Sequence, residues 1–217
     1  MAKGASYRVQ FRRRREGKTD YKARKALVMS RLPRVVTRAS LKHINVQVIE
    51  ATPTGDKVIA SANSQELKKY KWQAACGNVP SAYLTGLLCG VRAVDKGVKK
   101  AVADIGLHQP TKGARIFASL RGFVDTGVEV PHSMEKLPDE KRLVGQHIAN
   151  YAKDMASSDT QLFEKTFSKY LKSNLSPEKI PEYFNATKTN IVASLSKEKP
   201  KRRKKKLRTN EKTTTKL

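Results

Sequence analysis

The most regular hydrophobic pattern in the chain lies within residues 34–63. There Leu41, Ile44, Val46 and Val48 alternate with His43, Asn45 and Gln47, then Thr52-Pro53-Thr54-Gly55-Asp56 intervenes before Val58, Ile59 and Ala60. A period of two marks strands with one apolar and one polar face, and the Thr54-Gly55-Asp56 stretch supplies the positive φ that a tight hairpin wants. Two or three antiparallel strands are predicted. The period changes in residues 78–98, where Tyr83, Leu84, Leu87, Leu88, Val91 and Val94 recur at helical spacing and Pro80 stands at an early helical position, where its missing N–H is harmless. Residues 101–107 form an apolar run of strand length. Residues 114–124 set Ile116, Phe117, Leu120 and Val124 on one face of another helix. Strand, helix, strand, helix reads as a crossover unit. Joined to the hairpins, it gives an α/β (α+β) fold: a mixed, mostly antiparallel sheet with helices packed on one face.

On either side of this core the pattern fades. Residues 3–34 contain few core-forming side chains before Ala26-Leu27-Val28-Met29, and read as an extended arm ending in a short helix. That helix is predicted to open at Thr19 as cap, with Asp20 in the first turn and Pro33 marking the end. Beyond Pro131 the chain is polar, with peripheral helices predicted at 144–156, 160–172 and 177–195. After Ser196 the sequence is dominated by cations, six of them consecutive from Lys201 to Lys206, and should be disordered when free. The expected organisation is therefore a basic arm with a short helix (1–33), a mixed α/β core (34–133), a peripheral helical extension (134–195) and a disordered Lys/Arg-rich tail (196–217).

Charge sharpens this division. The 217 residues carry 45 Lys and Arg against 19 Asp and Glu, a formal net charge of +26. Residues 1–38 hold 13 basic and 2 acidic side chains, residues 196–217 hold 11 and 2, and the middle 21 and 15. So large an excess, concentrated at the ends, calls for a polyanionic partner. Cys76 and Cys89 fit neither a disulfide framework nor a zinc site and read as buried thiols of a reducing cytosol. The sequence shows neither a signal-like N-terminus nor an apolar run long enough to span a bilayer, so no membrane partner is expected.

The arm carries the strongest chemical signal. Tyr7, Phe11 and Tyr21 interleave with Arg8, Arg12, Arg13, Arg14, Arg15, Lys18, Arg24 and Lys25, with Thr19 among them. Guanidinium forks pair with phosphate oxygens and aromatic rings stack on unpaired bases, so the mixture suits structured RNA. Beside the arm's exit, Arg34, Arg38, Ser40, Lys42, His43, Asn45 and Gln47 offer further donors, although solvated strand faces commonly look the same. Other motifs are weak. A single Asp125-Thr126-Gly127 reads as a helix-ending turn rather than half of an aspartic-protease dyad. The four histidines have no ligand spacing, and no phosphate-cradling glycine loop occurs. A metal-dependent RNA hydrolase using Asp104 and Asp125, or a general DNA-packaging protein, are the rival readings. No cofactor, metal, catalytic residue or small-molecule substrate is assigned.

Five ordered stretches carry a resemblance: FRRRREGKTDYKARKAL at 11–27, Ser40-Leu41-Lys42-His43 leading into INVQVI, NVPSAYLTGLL at 78–88, DIGL at 104–107, and VDTGVEVPHS at 124–133. Across roughly residues 6–150 the chain resembles the archaeal and eukaryotic branch of ribosomal protein L eighteen, whose eukaryotic members are called L five. The compact link at 106–115 is similar to that of archaeal members, whereas the lysine-rich tail departs from the family pattern. The resemblance implies a non-enzymatic constituent of the large ribosomal subunit in the cytoplasm. It further implies binding to 5S rRNA in the central protuberance, contact with 23S rRNA, and ribosomal protein L five (universal naming) and other protuberance proteins as neighbours. At matching positions it implies Arg12 to Arg15, Lys18, Thr19, Tyr21 and Arg24 as arm contacts, and Arg38, Ser40, Lys42 and His43 on the sheet.

Overall fold

The computed structural model describes residues 4–197. From residue 198 onward the basic tail lies outside the described residues. Three antiparallel strands form as the alternation predicts: β1 (Arg34–Ala39), β2 (Ile44–Thr52) and β3 (Gly55–Asn63). β2 and β3 meet at a two-residue turn, Thr52 opposite Gly55, and Gly55 takes the positive φ of +141°. A register shift between Val48 and Ile49 bends this pair. The fourth strand, β4 (Val102–Asp104), is shorter than the apolar run around it and lies parallel to β1, giving the order β3-β2-β1-β4.

The crossover from β3 to β4 runs through α3 (Val79–Asp95), and α4 (Arg115–Val124) follows β4. Asn78 caps α3 by accepting from Ser81 N, so the amide end of this helix is satisfied within the chain. Val35, Ile44, Val46, Val48, Ala60 and Ala62 point from the inner sheet face into one core with Leu84, Leu87, Leu88, Phe117, Leu120 and Phe123 from the two helices. Each such large side chain contributes about 1.5–3 kcal/mol on burial. α3 and α4 touch backbone to backbone. A Cβ on Gly86 would lie 1.9 Å from Ser119 O, and one on Gly122 would lie 2.1 Å from Tyr83 O. Only glycine lets the two axes approach so far.

Leu41 departs from the expected alternation. It sits in the turn after β1, 94% exposed, so the apolar set of β2 begins at Ile44. The C-terminal half forms α5 (Glu140–Val144), α6 (Gln146–Ser158), α7 (Thr160–Thr166), α8 (Ser168–Lys172) and α9 (Ile180–Lys197). The polar pattern after Pro131 gives little sign of how firmly two of them are built in. Leu143 of α5 and Ile180, Phe184 and Ile191 of α9 are buried in the main core, where α9 packs on α3. α6 to α8 enclose a smaller cluster around Ala152, Met155 and Phe167.

Candidate nucleic-acid interface

The arm is more structured than an extended strand. Arg12–Arg15 form a single helical turn, α1, and α2 spans Tyr21–Met29. Asp20, rather than Thr19, caps α2: its carboxylate accepts from Lys22 N and Ala23 N. A carboxylate there also suits the positive end of the helix dipole. Thr19 serves instead as the acceptor for Arg13 Nε at 2.8 Å, which closes the link between the two helices. Phe11 and Tyr21 stack across the same link, their rings 5.1 Å apart and inclined at 52°.

All four arginines of α1 are exposed. Arg12 and Lys18 share Glu16, at 3.8 and 2.9 Å. Exposed pairs of this kind are worth about 0–1 kcal/mol, so they hold no cation back from a stronger anion. Arg8, Arg14, Arg15 and Lys25 have no side-chain hydrogen bond or ion pair among the described residues. Tyr7 and Phe11 are largely exposed, at 48% and 71%.

No residue of α2 is fully buried. The helix lies over the outer face of the sheet, and a cavity of about 580 Å³ separates Ala23 and Leu27 from Val36, Gln47 and Ile49. It is tied down by charge. Arg24 Nη2 donates to Asp56 Oδ1 at 2.9 Å, and Arg34 Nη2 donates to Asp56 Oδ2 at 3.0 Å. Arg34 Nη1 donates to Asp104 Oδ2 at 3.1 Å, and Arg38 Nη2 to Asp104 Oδ1 at 2.9 Å. The result is an alternating row, Arg24, Asp56, Arg34, Asp104, Arg38, running from the arm helix across the sheet.

This row changes the reading of the sheet. Arg34, grouped above with the RNA contacts, is 2% exposed and occupied by two carboxylates, so it braces the outer face instead of offering donors. Ser40 is likewise occupied, since its hydroxyl donates to His43 O and accepts from His43 N to close the turn after β1. Asn45 and Gln47 do lie on the outer face, half-buried, with Gln47 beneath the arm. The polar face is therefore partly roofed by α2. Lys42 is exposed in the turn, and His43 Nε2 lies 3.1 Å from Gln65 Nε2. Asp56 and Asp104, which the sequence offers only as a hairpin residue and as a rival catalytic carboxylate, organise the row. No local signal marks them, because the arginines they pair with stand on α2 and β1, 22 to 70 residues away.

Asp104 and Asp125, the pair of the hydrolase reading, have separate duties. Asp125 accepts from Tyr83 Oη at 2.7 Å and pairs with Arg121, at the end of α4. Among the described residues no group of three or more His, Cys, Asp or Glu side chains is placed to hold a metal ion, and no helix is long and apolar enough to cross a membrane.

Residues 5–100 and 93–133 match the family described as ribosomal large subunit proteins 60S L5 and 50S L18. The chain is 49% identical over 202 residues to the large ribosomal subunit protein uL18 of Caldivirga maquilingensis, covering 93% of this chain and 98% of that one. It is 47% identical over 195 residues to the uL18 of Thermofilum pendens, covering 90% of this chain and all of the relative. With the matched family segments spanning residues 5–133 and both relatives aligned almost end to end, the chain belongs to the uL18 (L5e/L18) family of large-subunit ribosomal proteins and is a structural constituent of the ribosome rather than an enzyme.

Proposed function

We propose that this chain binds 5S rRNA and helps attach it to 23S rRNA in the central protuberance, with ribosomal protein L five and other protuberance proteins as its neighbours. The observation that carries the reading is the arm: a turn of four exposed arginines, with Arg14 and Arg15 free of carboxylates, beside the Phe11–Tyr21 ring pair and mounted on a helix that the sheet holds by charge. Arginines on one turn present forks to successive phosphates, and exposed rings offer a stacking surface for unpaired bases. The internal carboxylates neutralise Arg24, Arg34 and Arg38, whereas Arg8, Arg14, Arg15 and Lys25 of the arm have no carboxylate partner among the described residues. Phosphate contacts set orientation, and the rigid α/β core fixes where the arm leaves it. The tail after Ser196 adds charge without aromatics, and its loss is expected to weaken binding less than loss of the arm.

Filter binding of the full chain to purified 5S rRNA, with duplex DNA as competitor at one salt concentration, tests this. The reading requires 5S rRNA to bind well ahead of DNA. Equal competition by DNA points to a general polyanion binder and removes the 5S assignment.

A further inference from the structure

The turn between β1 and β2 presents Leu41 to solvent on a backbone clamped from several sides. Arg115 Nη1 donates to Ser40 O at 3.0 Å and to Gly77 O at 2.8 Å. Gly77 approaches the turn so closely that a Cβ there would lie 2.8 Å from Leu41 O. With Ser40 closing the turn through both its hydrogen bonds to His43, the leucine is an exposed apolar group on a rigid mount. Preorganisation of this kind lowers the entropy cost of binding.

Beside Leu41 runs a groove of about 520 Å³ that continues between the Gly77 loop and α8. Ala74, Cys76 and Leu175 give it an apolar floor, and Tyr170 walls it, fixed by Ala75 N donating to its hydroxyl at 3.1 Å. The rim holds Lys42, Lys68 and Lys169, all exposed, and no Asp or Glu lines the groove. Two lining residues also carry buried nitrogens with no partner, His43 Nδ1 and Asn78 Nδ2. Asn78 Oδ1 is occupied as the cap of α3, which leaves its NH₂ as the unmatched donor.

We propose that this groove seats an unpaired nucleotide of ribosomal RNA, its base against Leu41 and the apolar floor and its flanking phosphates on Lys42, Lys68 and Lys169. An acid-free lysine rim selects a polyanion. An apolar floor selects one whose units carry a flat apolar face. The inference rests on the reading of the chain as an rRNA binder, but it uses none of the arm.

A short single-stranded oligoribonucleotide carrying 4-thiouridine, cross-linked to the full chain with long-wave ultraviolet light and mapped by peptide mass spectrometry, tests it. Adducts are expected at residues 68–78 and 169–175 as well as on the arm. Leu41→Asp, or Lys68→Glu with Lys169→Glu, alters exposed positions only and should lower the groove adducts about tenfold while sparing those of the arm. Ala at Arg12 to Arg15 should do the reverse. Adducts confined to the arm overturn the groove site and leave the wider reading standing, whereas absence of adducts from both overturns both. An oligoglutamate of matched charge that competes for the groove as well as RNA does assigns it to an acidic protein segment and overturns the nucleotide.

Discussion

Arg34 donates to Asp104 at 3.1 Å with both side chains more than nine-tenths buried, and the same guanidinium reaches Asp56 at 3.0 Å. A charge taken out of water this far persists only because two carboxylates meet it. The pairing fixes the outer sheet face and, through Asp56 and Arg24, the helix that carries the arm. The mounting of the arm thus depends on two acidic residues outside it.

Asp104→Asn keeps the side-chain volume and removes the charge. Breaking a buried ion pair costs about 3–5 kcal/mol, and Arg34 retains Asp56, so a loss of about 2–4 kcal/mol is expected. Urea unfolding followed by the fluorescence of Trp72, the single tryptophan and 1% exposed, measures it. A change within about 0.5 kcal/mol, typical of plain surface substitutions, would mean that the row of charges does not brace the sheet.

Gly86→Ala should destabilise by about 3 kcal/mol or more, although the same change in an exposed helix would stabilise by about 1. The added methyl meets a backbone carbonyl of α4, Ser119 O, which can move only if the helices separate. At Gly90 the nearest obstacle is the Thr126 side chain, so Gly90→Ala should cost less. The order of the two denaturation midpoints is the test.

The Glu66 carboxyl lies below its ordinary value of 4.5: burial pushes it up, but the hydrogen bonds from Arg92 and Asn63 N and the Arg92 charge outweigh that. A lowered folded-state pKa contributes stability that is fully present above the unfolded value and is lost as pH falls through the folded one. Glu66→Gln should therefore be less stable than wild type at neutral pH, and its melting temperature should fall less on acidification below about pH 4.5. Parallel acid limbs for the two proteins would show that this pair contributes nothing.

The strands, α3 and α4 were legible because period-two and period-3.6 patterns report burial on one face, as Val46 and Val48 and then Leu84, Leu87 and Leu88 do. The arm's aromatics and arginines were equally plain. What sequence concealed was distance. Nothing local at Arg34 says that Asp56 and Asp104 converge on it from 22 and 70 residues away. Leu41 was grouped with Ile44, Val46 and Val48 although it lies three residues before Ile44, off their parity, and the turn built by Ser40 and His43 holds it facing solvent. Ile180 and Ile191 lie in a sparse apolar pattern whose burial depends on α3 being there to cover them.

If the arm's cations neutralise the phosphates of 5S rRNA, as proposed, the salt dependence of the affinity shows it most directly. With about ten phosphates contacted, the logarithm of the association constant should fall against the logarithm of salt with a slope of roughly −7 to −9. Replacing Arg12 to Arg15 with Ala should make the slope shallower by about 3 to 4 while core unfolding stays unchanged. A wild-type slope of about −2, or an equal slope in the variant, would contradict the account.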